Sequence, residues 1–198
     1  MRLLLIVMLA AAVLWWLQRA DNGTGERPSA LPEELLGEPD LYLEQARIRQ
    51  YDADGSLSYR LLADFILHFE TDAITRLTLP DLTLYNAGAL PWHSTAGQGF
   101  IRKEISPAGV PEELVFLRDE VELRQRNDDG RFLKLRSDHM YVYPDRQYAQ
   151  TDRSVTIDTE VGRTKAAGMA ADLATGKIEL SSSPSQRVQT IVLKDQFK

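Results

Sequence analysis

The sequence predicts an all-β domain of stacked antiparallel strands, preceded by one N-terminal transmembrane helix. Three observations carry that prediction. From residue 40 onward the apolar residues recur with period two, as in Leu57, Tyr59, Leu61, Ala63, Phe65, Leu67 and Phe69. Turn-forming clusters punctuate the alternation at Asp52-Ala53-Asp54-Gly55, Asn127-Asp128-Asp129-Gly130, Pro144-Asp145-Arg146 and Thr175-Gly176-Lys177. The third observation is at the start of the chain, where residues 3–17 are apolar without interruption.

That run, LLLIVMLAAAVLWWL, lies between Arg2 and Gln18-Arg19. Fifteen helical residues span roughly 22 Å, short of the ~30 Å hydrocarbon thickness. Met1 and the stems of the flanking polar residues extend it to a workable span. Cleavage as a signal peptide at Ala10-Ala11-Ala12 would leave Val13 to Leu17 as an apolar mature terminus. Trp15 and Trp16 fit better as an interfacial belt at the outer end of a membrane helix whose lipid-facing residues include Leu3, Val7 and Leu14. We therefore assign residues 1–20 to a membrane anchor, contacting membrane lipids, with the mass of the chain on the far side.

Residues 21–38 are rich in Gly, Pro and polar side chains and read as a flexible linker. Residues 39–198 form the β domain. Within it Leu82 and Leu84 flank Thr83, Val121 and Leu123 flank Glu122, Leu133 and Leu135 flank Lys134, and Val155 and Ile157 flank Thr156. Each trio is the alternation of a half-buried strand. The strands also repeat. Residues 57–85 and 132–158 share an alternating run, a small residue followed by Asp (Ala63-Asp64, Ser137-Asp138), a turn, and an apolar-Thr-apolar strand. Ala167-Gly168 and Ala96-Gly97 mark two looser copies, the latter with a turn expanded over Ile105 to Glu113. A period of roughly 30–40 residues is that of stacked β units, with unpaired edges at the two ends.

Composition closes several routes. The 198 residues contain no cysteine, which removes a disulfide framework, a thiolate site and a lipidated N-terminal cysteine. The net charge is −6, and setting Arg2 and Arg19 aside leaves 21 basic against 29 acidic residues, about −8. Such a balance argues against a nucleic-acid partner and against electrostatic attachment to an anionic bilayer. His68, His93 and His139 lack metal-site spacing. No Gly-x-Ser-x-Gly elbow, phosphate loop or complete calcium loop occurs. Neither catalysis nor a cofactor or metal is expected. The inner apolar faces either pack on each other, as in any sandwich, or stand partly open around an apolar ligand; alternation shows burial without showing what does the burying.

The order of short motifs is recognisable. Pro39-Asp40-Leu41-Tyr42-Leu43, the stretch from Tyr51 to Asp64, then Pro80-Asp81-Leu82-Thr83-Leu84-Tyr85 and Pro91-Trp92-His93-Ser94-Thr95-Ala96 resemble the lipopolysaccharide-export LptC family. The layout of anchor, tether and β domain is similar as well. The resemblance implies a twisted V-shaped β-jellyroll in the periplasm, held to the inner membrane by a single pass. It implies a component that accepts lipopolysaccharide from an inner-membrane ABC transporter with periplasmic β domains and passes it to periplasmic LptA. The apolar groove is then expected to be lined by Ile48, Tyr59, Leu61, Phe65, Leu77, Leu84, Phe116, Leu135, Tyr141, Val155, Ile157 and Val188. The N-terminal edge (Leu41, Leu43, Tyr51) would meet the transporter, and the C-terminal edge (Gln186, Val188, Thr190, Val192) would meet LptA. The alternative is a membrane-tethered structural β domain that only assembles partners through its edge strands.

Overall fold

The computed structural model describes residues 38–86, 89–106, 108–127 and 129–193. The expected anchor, with Leu3, Val7, Leu14, Trp15 and Trp16, and nearly all of the linker lie outside the described residues. What is described is all-β: fourteen antiparallel strands joined in a single sheet, with one 3-10 turn at Pro144–Arg146. In chain order these are β1 Leu41–Tyr51, β2 Leu57–Phe69, β3 Ile74–Thr78, β4 Asp81–Leu84, β5 Trp92–Thr95, β6 Gln98–Ile105 and β7 Pro111–Arg126. There follow β8 Phe132–Tyr143, β9 Tyr148–Thr151, β10 Val155–Thr159, β11 Gly162–Ala166, β12 Gly168–Asp172, β13 Lys177–Ser181 and β14 Gln189–Val192.

The pairing explains how one sheet makes a core. Three long strands change neighbours halfway along. β2 pairs with β4 over Tyr59 to Leu62, then with β3 over Phe65 to Phe69. β7 pairs with β6 up to Arg118, then with β5 from Glu122. β8 pairs with β10 up to Ser137, then with β9 from Tyr141. The sheet is thus folded along a line into two arms. Arm one holds the first half of β2, then β4, β5, the second half of β7, the first half of β8, β10, β11 and β14. Arm two holds the remaining halves with β3, β6, β9, β12 and β13. A single apolar cluster joins residues from both arms, among them Leu61, Leu84, Leu123 and Leu135 from arm one and Leu77, Leu117, Met140 and Met169 from arm two.

The crease has a chemical signature. Gln45, Leu79, Asp119 and Glu120 adopt left-handed backbone conformations with φ between 48° and 66°. For residues other than glycine this costs about 1 kcal/mol each, and the fold spends it on turning the strands. The β7–β8 register slips between Arg118 and Val121, leaving Asp119 and Glu120 as a bulge. The small-residue pairs that recur in the sequence all fall on this line. Gly97 donates its N–H to the Asp119 carbonyl at 2.7 Å, and Ala96 donates to the Pro80 carbonyl at 3.3 Å. A Cβ at Gly97 would lie 3.0 Å from the Asp119 Cβ, so the strands meet there too closely for a side chain.

The expanded turn between β6 and β7 is an ordinary hairpin, closed by the Ser106 N–H on the Val110 carbonyl at 2.9 Å, with Gly109 at φ +77°. The phase does not reverse there. It reverses at the crease on β2, from Ala63 to Ile66, and on β8, from Ser137 to Met140, whereas the two-residue bulge keeps β7 in one phase from Val115 to Leu123.

Candidate functional site

The inward faces of the two arms form an apolar interior whose depth can be read from the register. On arm one the row nearest the crease includes Ala63, Val121, Ser137 and Val155. Leu61, Leu82, Leu123, Leu135 and Ile157 follow, and the rim carries Tyr59, Leu84 and Trp92. On arm two the crease row holds Ile66, Leu77, Leu117 and Met140. Val115, Val142, Ala149 and Ala171 follow, and Glu113 lies at the rim. Most of these side chains are buried to within 2% of their surface.

Eight of the twelve expected lining residues point into this interior. Tyr59, Leu61, Leu77, Leu84, Leu135, Val155 and Ile157 belong to its core, and Ile48 packs against it. Four do not, and the crease explains two of them, Phe65 and Tyr141. Phe65 follows the turn at Asp64, so it points outward and stacks on Tyr42 with ring centres 5.9 Å apart. Tyr141 lies beyond the crease on β8, where Met140 and Val142 hold the inner face, and Phe116 is on the outer parity of β7, whose Val115, Leu117, Val121 and Leu123 all face inward. The two rings meet each other outside the sheet at 4.9 Å, flanked by His139 and Phe100. Val188 precedes β14, outside any strand, and is 41% exposed.

In the interior the side chains of the two arms pack against one another. Polar hollows open on the surface. One, of 330 Å³, opens at the rim beside Gln50, Tyr59, Lys103, Glu113 and Asp145. Another, of 680 Å³, covers the outer face of arm one at Glu122, Arg136, Thr156, Arg163 and Lys165. At the rim the Tyr59 hydroxyl donates to Glu113 Oε1 at 2.8 Å. Burial, with the negative charges of Glu113 and Asp145, holds the Tyr59 phenol well above its ordinary pKa. Burial likewise raises Glu113, aided by Asp145 and opposed by the Tyr59 hydroxyl and Lys103.

The three histidines occupy separate places. His68 Nδ1 lies 2.9 Å from Thr75 Oγ1, His93 Nδ1 lies 3.1 Å from Thr83 Oγ1, and His139 Nε2 lies 2.7 Å from Asp152 Oδ1. Burial and the nearby Arg124 lower the His93 pKa. Among the described residues no group of three or more His, Asp or Glu side chains is placed to hold a metal ion.

Both ends of the sheet offer backbone edges. β1 runs antiparallel along β2 and, among the described residues, pairs with no other strand; none of its residues is buried. At the far end β14 pairs only with β11, and β13 only with β12. Leu41, Leu43 and Tyr51 are exposed on β1 by 38 to 52%. Thr190 and Val192 lie in β14 and are exposed. Gln186 lies before that strand, where its side-chain amide donates to the Ala166 carbonyl at 2.9 Å and to Ser154 Oγ at 3.0 Å. It pins a turn and does not belong to the edge. Sequence reasoning missed Trp92 and Glu113. An indole and a carboxylate at strand ends carry no signal until the topology brings the two arms together.

The described residues thus define a folded antiparallel β-sheet protein with an apolar interior and strand edges at both ends. The periplasmic protein LptH of Pseudomonas aeruginosa, described as the LptA-homologous component of the conserved lipopolysaccharide transport device, shares the fold. Its crystal structure superposes with a TM-score of 0.52 at 11% sequence identity, over 68% of this chain and 94% of that one. No curated protein matches the sequence at a significant level. The model of the family "Lipopolysaccharide-assembly, LptC-related" matches residues 3–188, and the chain belongs to that family. Membership gives it a role in lipopolysaccharide transport, in a family of transport and structural proteins.

Proposed function

We infer that the protein accepts lipopolysaccharide from an inner-membrane ABC transporter and passes it to a periplasmic partner of the LptA type. The acyl chains travel in the interior between the two arms, and the folded sheet is the twisted V-shaped β-jellyroll of the family. The observation that carries this proposal is the continuity of the apolar interior from Ala46 and Ile48 on β1 to Ile178 and Leu180 on β13, with a strand edge at each end of the described sheet. Burying a methylene is worth about 0.8 kcal/mol, so an acyl chain of a dozen carbons costs on the order of 10 kcal/mol to expose to water. An interior continued from one protein to the next removes that barrier. Edge strands make the continuity possible, because a partner strand added by main-chain hydrogen bonds extends both arms without a gap. β1 serves the transporter's periplasmic β domain, and β13 and β14 serve the LptA-type partner. Residues 1–20 hold the protein in the inner membrane, with the β domain in the periplasm.

Photo-reactive residues test this directly. Placed at Tyr59, which faces the interior, such a residue crosslinks lipopolysaccharide in cells; at Arg60, on the opposite face, it does not. Equal labelling of the two faces overturns the assignment of the interior as the lipid path. Lipid retained by the detergent-purified chain, identified by mass spectrometry, is the complementary measurement.

The packing of the two arms' side chains against one another favours one second reading, a tether that assembles partners through its edges and carries no lipid. It requires that no lipid crosslink form at any inner position, while a disrupted edge strand still abolishes complex formation.

A further inference from the structure

The two arms are fastened together at the rim, the side away from the crease. Four hydrogen bonds cross that line, each joining a group on arm one to a group on arm two. The Tyr59 hydroxyl donates to Glu113 Oε1 at 2.8 Å, and the Trp92 indole N–H donates to the Leu173 carbonyl at 3.0 Å. The Gln147 amide donates to the Tyr85 carbonyl at 3.1 Å, and the Asn86 amide donates to the Ala174 carbonyl at 3.3 Å. Directly behind them Leu84 and Trp92 are 1% exposed and Leu173 is 2% exposed. The seam is closed.

A closed seam conflicts with carrying a lipid whose headgroup is large and charged. The acyl chains belong inside, but the headgroup must stay in water, because burying an unpaired charge is prohibitive. Such a molecule cannot be threaded through a closed tube from one end. It can move along the interior only if the rim is open along its path, with the headgroup travelling outside. The bonds at the rim suit that requirement. Each is an ordinary hydrogen bond whose groups regain water when it breaks, so its net strength is small. Opposite the rim, by contrast, the arms are joined covalently by the strands that cross the crease.

We propose that the rim between Tyr59 and Trp92 on arm one, and Glu113 and Leu173 on arm two, is a lateral gate. Acyl chains enter sideways when these four bonds release, and the gate recloses when they leave, as the side chains of the two arms pack together again. The hollow beside Tyr59, Lys103 and Glu113 lies at the gate's outer side. The gate rests on the proposed lipid path, since only a lipid with an external headgroup needs it.

The absence of cysteine makes the test clean. Asn86→Cys and Ala174→Cys are introduced together into the full chain, in detergent, with a photo-reactive residue at Leu135 as reporter. A short bis-maleimide then bridges the two thiols, and purified lipopolysaccharide is the probe. The gate predicts at least a tenfold loss of Leu135 crosslinking in the bridged protein, with the unbridged pair labelled like the parent. Equal labelling of bridged and unbridged protein overturns the gate while leaving the lipid path intact. No labelling of the parent at Leu135 overturns the lipid path and the gate with it. A second pair of variants needs no bridge. Tyr59→Phe and Trp92→Phe keep an aromatic ring and remove a donor, and each is expected to raise the rate of lipopolysaccharide uptake about threefold or more. Unchanged rates in both contradict a seam held by these bonds.

Discussion

Replacing Gly168 by alanine tests whether the arms meet as closely at the crease as the backbone indicates. Gly168 opens β12, where the sheet turns from β11 in arm one to arm two. A Cβ added there would sit 2.7 Å from Ser181 Oγ and 2.8 Å from the Thr151 carbonyl oxygen. The serine can rotate away. The carbonyl belongs to the neighbouring strand, whose Thr151 is paired with Met169, so relief requires the β9–β12 ladder to shift. Overpacking of this kind costs about 1–3 kcal/mol. In a chain of this size each kcal/mol moves Tm by about 2–4 °C, so thermal melting of the Gly168→Ala protein should fall by about 2–12 °C. Adding Ser181→Ala removes the nearer contact and should recover little, because the carbonyl remains. Gly55→Ala is the control. Gly55 has φ +85°, and a Cβ added to it would meet nothing within 4 Å, so the substitution carries only the left-handed backbone penalty of about 1 kcal/mol. If Gly168→Ala melts with the parent, the close approach that defines the crease is wrong.

Other consequences are smaller or more local. Asp158 accepts hydrogen bonds from Arg163 at 2.5 Å and from Arg136, and these contacts hold its carboxyl below the ordinary range. A lowered folded-state pKa adds stability above the unfolded-state value, and that stability disappears as pH falls through the folded-state value. Because both arginines are about half exposed, Asp158→Asn should cost at most about 1 kcal/mol at neutral pH and flatten the acid limb of a stability–pH curve. Leu135 is fully buried at the centre of arm one; Leu135→Ala should cost about 2–5 kcal/mol in chemical denaturation, and a loss below 1 kcal/mol means that the interior is looser than described. Thr190→Pro in β14 should abolish capture of an LptA-type partner while leaving the melting temperature within a few degrees, and undiminished capture moves that interface elsewhere.

Much of the fold was legible because arm one announces itself. Leu82 and Leu84, Val121 and Leu123, Leu133 and Leu135, and Val155 and Ile157 are apolar pairs flanking a polar residue, and every one of them faces inward. Arm two was harder because both of its faces carry apolar groups. Its interior holds Met140, Ala149, Met169 and Ala171, whereas the larger rings of Phe100, Phe116 and Tyr141 lie outside, with the Arg118 guanidinium 5.1 Å from the Phe100 ring centre. Alternation alone selects the larger residues, and here they are on the wrong face. The small-residue pairs at 63–64, 96–97, 137–138 and 167–168 were visible as a repeat. Their meaning, a fold line where strands bend and β2 and β8 change phase, required the left-handed backbone at Asp119 and Glu120, which no residue type there signals. The rim was illegible for a different reason: Tyr59 and Glu113 are 54 residues apart, and only the folded sheet makes them neighbours.

The phase reversal also yields the most direct test of the lipid path. A photo-reactive residue is placed in turn at each position of β8 from Leu133 to Val142, and lipopolysaccharide crosslinking is measured in cells. The folded sheet with lipid between its arms predicts labelling at Leu133, Leu135 and Ser137, then at Met140 and Val142, and none at Lys134, Arg136, His139 or Tyr141. Unbroken alternation through His139 and Tyr141, or labelling on neither face, would contradict it.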